Sequence, residues 1–320
     1  MAEFIKVSQV EDGTRLLRWF LRNYPGMLQG DFYKLCRGGQ IRINSSRCKG
    51  TEIITAGDLI RIPPTLQSYK KVNKKETGEN YSLSDLEQLR RCIIHNDEDI
   101  VIFNKPAGLA VQGGTGIKKS VDKMAAALFP YDKISLVHRL DRETSGLLVV
   151  AKNQRAAQDL AAQFQNKTAY KEYLALLNGT LSEKSGVIDN YLAKGQVFED
   201  KSKVPQGIQA QRAVTEYEVL GEASGLLTWV LFSPKTGRTH QLRLHSAYSL
   251  HAPICGDSLY GDARGNFDGI LSSVLTTQHL FLFAFRITFR HPGSGKIVTF
   301  RAEIPEFMQP VINFLEFQLP

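Results

Sequence analysis

Residues 136–153 read LVHRLDRETSGLLVVAKN, and the fold turns on how that run divides. From Leu147 to Ala151 it is apolar throughout, bounded by Gly146 and Lys152, as a fully buried strand would be. Immediately before it stand His138, Arg139, Asp141 and Arg142. Taken alone, Asp141 reads most simply as a turn residue leading into the strand. A carboxylate between two guanidinium groups is also held towards its charged form, which makes Asp141 a candidate for chemistry that needs an anion.

Outward from this run, strand-like segments dominate. CIIHNDEDIVIFNKP (92–106) reads as two strands about an Asn-Asp-Glu-Asp turn. Further strands are KEYLALLNG (171–179), RAVTEYEVL (212–220), LLTWVLFSP (226–234), FLFAFRITFRHP (281–292) and KIVTFRAEI (296–304). NQRAAQDLAAQFQNK (153–167) reads as a helix with Leu160, Ala161 and Phe164 on one face. Helices are few and interspersed, so the fold class is α+β. A mixed, largely antiparallel sheet flanked by helices is expected rather than regular βαβ units.

At 320 residues the chain is long for one domain, and its charge is lopsided. Residues 1–75 hold 14 Lys/Arg against 6 Asp/Glu, whereas residues 76–320 hold 26 of each, so the net +8 lies entirely in the first quarter. A small basic module on a neutral body points to a polyanion partner. Residues 12–64 form that module, 65–88 a polar linker, and 89–320 the main domain. Within the module, RLLRWFLRNY (15–24) spaces Leu16, Leu17, Phe20 and Leu21 as a helix face opposite Arg15, Arg18 and Arg22. A second helix, DFYKLCRGG (31–39), has Asp31 as its cap, and QIRIN and AGDLIRIP follow as strands. This stretch resembles the S4 RNA-binding domain, whose likeness makes Arg15, Arg18, Arg37 and Arg42 candidate RNA contacts.

No run of about 18 apolar residues exists to span a membrane. The N-terminus lacks the apolar core of a signal peptide, so a cytoplasmic protein is expected. The cysteines, Cys36, Cys48, Cys92 and Cys255, form no CxxC pair and read as buried or idle thiols.

Two further stretches bear on Asp141. SPKTGRTHQLRLHS (233–246) brings Arg238, His240 and Arg243 into six residues, too polar for a core strand, although a solvated helix start would read similarly. TAYKEYLALLNG (168–179) offers Tyr170 and Tyr173, each read most simply as packing. Together with NKPAGLAVQGG (104–114) and APICGDSLYGD (252–262), these segments resemble, in order, the motifs of the RluA family of pseudouridine synthases. The resemblance spans about 12–300.

It implies an isomerase that converts uridine to pseudouridine in large-subunit ribosomal RNA, with no cofactor, metal or nucleotide; a monomer is expected because no coiled coil or extended apolar edge is evident in the sequence. Asp141 takes the place of the family's catalytic aspartate. Tyr173 would pack against the target base, and Arg243 would pair with the aspartate. Arg139 would fill the space of the extruded nucleotide or hold a phosphate. His138, Arg142, Lys105, Arg238 and His240 join them as candidate substrate contacts. The sequence departs from the family where Leu282–Phe283–Ala284 replaces Leu-His-Ala and His251–Ala252–Pro253–Ile254 replaces Gly-His-Pro-Ile.

Other signals are weaker. Gly113–Gly114–Thr115–Gly116 lacks the ending of a phosphate loop. Thr144–Ser145–Gly146 is no nucleophile elbow. His240, His245 and His251 have no carboxylate or thiol at metal spacing and read as hydrogen-bonding groups. A tRNA or other ribosomal RNA target, or a non-catalytic RNA-binding assembly factor, remains an alternative. Whether Asp141 attacks C1′ or removes a proton at C2′ is likewise open.

Overall fold

The computed structural model describes residues 3–8, 11–24, 27, 29–68, 81–114, 116–261, 279–317 and 319–320. Residues 69–80 of the expected linker, Thr115 and Asp262 lie outside the described residues. Two compact units are present: residues 1–80 with 129–131, and residues 81–128 with 132–320.

The first unit carries β1 (Glu3–Lys6), α1 (Leu16–Asn23), α2 (Gln29–Arg37), β2 (Arg42–Ile43), β3 (Ser46–Arg47) and β4 (Leu59–Ile62). Its sheet runs β1-β4-β2-β3, antiparallel throughout. Asn44 and Ser45 turn β2 into β3 with φ of 48° and 69°, as a two-residue hairpin requires. The helices close over the sheet through Leu16, Trp19, Phe20, Phe32 and Cys36, which meet Ile41, Ile60 and Ile62. The α2 helix starts at Gln29, so Asp31 sits in its first turn and is not the cap; its charge still complements the helix N-terminus. Cys36 and Cys48 lie side by side in this core as thiols, their Sγ atoms 3.8 Å apart.

The second unit begins inside the segment expected as linker. There α3 (Leu83–Arg91) opens on Ser82, whose side chain and Asp85 cap each other's backbone N–H groups. The chain continues through β5 (Ile93–Asn96), β6 (Ile100–Lys105), α4 (Val121–Leu128), β7 (Ser135–Leu136), β8 (Ser145–Ala151) and α5 (Gln154–Gln165). Then follow β9 (Tyr170–Asn178), β10 (Ser185–Ala193), β11 (Gln196–Phe198), β12 (Gln211–Ala223), β13 (Leu227–Pro234), β14 (Leu282–Arg290) and β15 (Ile297–Arg301). One sheet holds these strands in the order β11-β10-β12-β13-β9-β14-β8-β6-β5, with β15 beside β14 and β7 beside β8. Among the described residues each strand pairing is antiparallel except β14 with β8, the mixed and largely antiparallel architecture expected.

All seven residues of β8 are buried. On α5 the buried positions are Ala156, Leu160 and Gln163, one turn apart, while Ala161 faces solvent, contrary to the expected face. Gly146 explains the Ser-Gly entry to β8. Its φ is 107°, and a Cβ there would stand 2.3 Å from the carbonyl oxygen of Ala284, so β8 and β14 cross backbone to backbone. That crossing brings the loop before β8 near β9, the strand on the other flank of β14.

Candidate active site

The loop carrying Asp141 is fastened by the buried Lys105 and by Arg142 and the half-buried His138. Lys105, at the end of β6, is fully buried. Its ammonium donates to the carbonyls of Pro106, Leu109 and Arg142, at 2.9, 2.9 and 3.0 Å. Burial pulls its pKa down, while three carbonyl acceptors use all three of its protons. Lys105 therefore cannot meet RNA, as the sequence reading supposed; it pins the backbone one residue after Asp141. Arg142 ties the same corner together, its Nε donating to the carbonyl of Gly108 at 2.9 Å. On the other side, His138 Nε2 accepts the N–H of Val149 at 2.9 Å. Burial, and then the nearby charge of Lys171, pushes its pKa down to about 3, so the imidazole is neutral and serves the backbone.

Between these fastenings the Asp141 side chain stays 20 % exposed. Neither Arg139 nor Arg142 forms an ion pair with it among the described residues; the imidazole of His240 stands beside it, with Nε2 3.9 Å from Oδ1. A cavity of about 100 Å³ opens here, walled by Asp141, Thr144, Tyr173, Gln241, Arg243 and Leu282, with Arg139, Lys171 and Arg238 at its edge. Tyr173 is 8 % exposed, and burial, reinforced by the charge of Asp141, holds its hydroxyl protonated well above the ordinary range.

Arg243 departs from its expected role. It is 3 % exposed and grips Asp257, not Asp141, with Nε to Oδ2 at 2.8 Å and Nη2 to Oδ1 at 2.5 Å. Burial alone would lower its pKa, but the bidentate bond to Asp257, with Asp141 contributing at longer range, raises it. Asp257, in turn, is pushed up by burial but held low overall by Arg243 and by the N–H groups of Leu259 and Tyr260. The guanidinium lies 5.2 Å over the Tyr260 ring, and the Tyr260 hydroxyl meets His240 Nδ1 at 2.8 Å. A positively charged wall thus faces Asp141 but is locked to a different carboxylate.

A buried polar chain explains why the segment after β13 is so hydrophilic. Thr236 Oγ1 donates to Gln241 Oε1 at 2.7 Å, and Gln241 Nε2 donates to Thr215 Oγ1 at 2.9 Å. Thr215 meets His245 Nδ1 at 2.9 Å, and His245 Nε2 meets Asn190 Oδ1 at 3.0 Å. Burial lowers the His245 pKa to about 4, so the ring is neutral and fits this chain as an acceptor at Nδ1 and a donor at Nε2. His245 also opens a single π-helical turn, His245–Ser249. The Gln-x-Arg-x-His spacing thus supplies three anchors. Above them, Gly237, Arg238 and Thr239 are exposed.

The cavity opens into a wider cleft of about 1130 Å³, lined by Arg139, Phe164, Tyr170, Lys171, Arg238 and Arg301 among others. Arg139 borders both, as well as a third hollow of about 580 Å³ that it shares with Arg142. In the first unit Arg15 and Arg37 are exposed and Arg18 and Arg42 half-buried, and the Arg42 guanidinium also clamps its own turn through the carbonyls of Gly39 and Ser45.

At the two departures from the family pattern, Phe283 and Ala252 are fully buried, whereas His251 is exposed and takes a φ of 53°, a region glycine favours. Sequence reasoning missed Lys171, Asp257 and Tyr260; the last two lie in the quoted APICGDSLYGD stretch, but nothing local ties them to Arg243. Among the described residues, one group has the types for a metal: His95, Asp97 and His291. His291 Nδ1 accepts the N–H groups of Gly293 and Ser294, so Nε2 carries the proton and bonds Asp97, the wrong tautomer for a metal ligand.

Residues 99–248 match the model of the RNA pseudouridylate synthase family. The chain is similar to ribosomal large subunit pseudouridine synthase C of Haemophilus influenzae, 34% identical over 98% of this chain and 95% of that protein. The proteins of the same name from Vibrio vulnificus and Escherichia coli are 37% and 33% identical, each over 98% of this chain and 96% of its own length. Among solved structures, human RNA pseudouridylate synthase domain containing 4 matches with a TM-score of 0.62 at 26% identity, covering 73% of this chain and 97% of that one. With the aspartate loop, the tyrosine strand and the arginine wall converging on one cavity, the chain belongs to the RNA pseudouridylate synthase family.

Proposed function

We propose that the protein isomerises specific uridines of large-subunit ribosomal RNA to pseudouridine, with Asp141 acting at the ribose. One observation carries the assignment of roles: the Asp141 carboxylate opens into a cavity it shares with Tyr173 and Arg243 and makes no hydrogen bond among the described residues. The names of the relatives support the RNA target.

The reaction breaks C1′–N1, turns the ring and forms C1′–C5; the C5 proton leaves and N1 gains one, so no oxidant or phosphate donor is needed. A carboxylate serves either as nucleophile at C1′ or as base at C2′. The Tyr173 ring offers a face for the uracil, and its hydroxyl stays neutral beside the anion. The uridine must leave its stack at a cost of a few kcal/mol, which stacking and cationic contacts offset. The basic first unit acts as an RNA-holding appendage in the manner of an S4 domain, and the protein works as a monomer in the cytoplasm. Among the described residues no helix is long and apolar enough to cross a membrane.

Tritium release from a large-subunit ribosomal RNA transcript labelled at uridine C5 tests this reading. The protein should release tritium, and Asp141→Asn should release none while binding RNA within about threefold of the parent. Turnover by Asp141→Asn would overturn the role of Asp141. An assembly factor would bind the transcript and release nothing.

A further inference from the structure

Lys171 lies on β9, two residues before Tyr173 and so on the same face of the strand. It lines both the wide cleft and the small cavity. Among the described residues its ammonium has no hydrogen bond and no ion pair; it lies over the face of Phe164, 5.9 Å from the ring centre. The loop after β13 passes over it, such that a Cβ on Gly237 would stand 3.7 Å from Nζ. Burial pulls its pKa down, and no carboxylate offsets that effect. The charge also keeps His138 neutral, yet His138 already has Val149 as its partner, so it gives Lys171 no acceptor. A desolvated cation without a counter-charge is costly, and proteins keep such groups where a ligand completes them.

We propose that Lys171 receives a backbone phosphate of the RNA strand where it passes from the wide cleft into the catalytic cavity. This deepens the function proposed above and rests on it for the identity of the RNA. Three features fit an anion at this place. The amine faces the junction of the two hollows. Arg139 and Arg238 border the same junction from the opposite loops. The exposed ring of Tyr170, one residue before Lys171, offers a surface for a neighbouring base.

The test is filter binding of a large-subunit ribosomal RNA transcript across a salt series, with single-turnover rates at saturating RNA. Lys171→Met should weaken binding about tenfold, as the loss of one hydrogen bond to a charged group does. The slope of log affinity against log salt should become shallower by about 0.7 to 1. The saturated rate should stay within about threefold. Lys171→Arg should keep the parent slope. Because methionine removes a desolvated charge, Lys171→Met should melt no lower than the parent, whereas a lysine held for structure would lower the melting temperature.

Parent binding should also weaken as pH rises towards the lowered lysine pKa, while Lys171→Arg stays level. An unchanged salt slope in Lys171→Met, or a lower melting point that arginine restores, would overturn the proposal. Tritium release by the parent on the same transcript reports separately on the proposed function, so either reading can fail alone.

Discussion

Lys105 and Lys171 are both lysines that burial makes less basic, yet they are treated in opposite ways. Every proton of Lys105 has a carbonyl; the ammonium of Lys171 has none. The same division runs through the site. Arg243, Gln241, His245 and His138 are all bonded to protein and form a frame, whereas Asp141, Lys171 and the exposed Arg139 are left open to whatever enters. The contrast shows that charge alone does not mark a substrate contact. What marks it is charge whose partner is missing.

Five substitutions would break or sharpen that division. The largest effect belongs to the open set. Asp141→Asn should lower pseudouridine formation by more than about a thousandfold, with a stability change under about 1 kcal/mol because the side chain supports nothing else. A large loss of stability in urea unfolding would move Asp141 into the frame. Next, Lys105→Met should cost about 3 kcal/mol, since three inward-facing carbonyls lose their donor, and activity should fall with it. A variant as stable as the parent would show that those carbonyls find other partners.

Third, His245 is neutral when folded, with its pKa lowered to about 4 from an unfolded value of 6.5. Its contribution is present above pH 6.5, where both states are neutral. Below that the unfolded chain takes up the proton first, so about 3 kcal/mol should drain away between pH 6.5 and 4. Melting curves of His245→Gln should show a shallower acid dependence than the parent; parallel curves would sink the assignment. The smallest effect lies in the first unit. Arg37→Ala should reduce the salt slope of RNA binding by about 0.7 with no loss of stability. Arg42→Ala should leave the slope alone and cost about 1 kcal/mol, because its guanidinium holds a turn.

How much of this could be read in the chain depends on whether the cause is local. The β8 strand and the two strands about the Asn-Asp-Glu-Asp turn declare themselves through apolar runs and turn residues. The placement of Asp141 and Tyr173 at one site was legible only through the order of several motifs, since Asp141 stands on the loop before β8 and Tyr173 within β9. By contrast, β10 (SGVIDNYLA) escaped notice because it mixes Asp, Asn and Tyr with its apolar positions and leaves Val187 in solvent. The α3 helix hid inside a polar stretch because only Leu89 of its nine residues is buried.

The partner of Arg243 was misjudged for a related reason. Asp257 lies 14 residues on, and no pattern reveals which of two carboxylates a guanidinium will choose. Lys105 looked available because a lysine at a strand end usually reaches water; the Pro-Ala-Gly turn that folds its carbonyls back over the amine is a tertiary fact.

The position of β14 has a consequence for how the enzyme comes into being. It is made after both of its neighbours, yet it is the strand between β8 and β9. Until it is in place, the half of the sheet bearing the aspartate and the half bearing the tyrosine have no shared edge, and this long-range closure is slow. A nascent chain that has not yet delivered residue 290 is therefore catalytically silent, however well its earlier strands have formed.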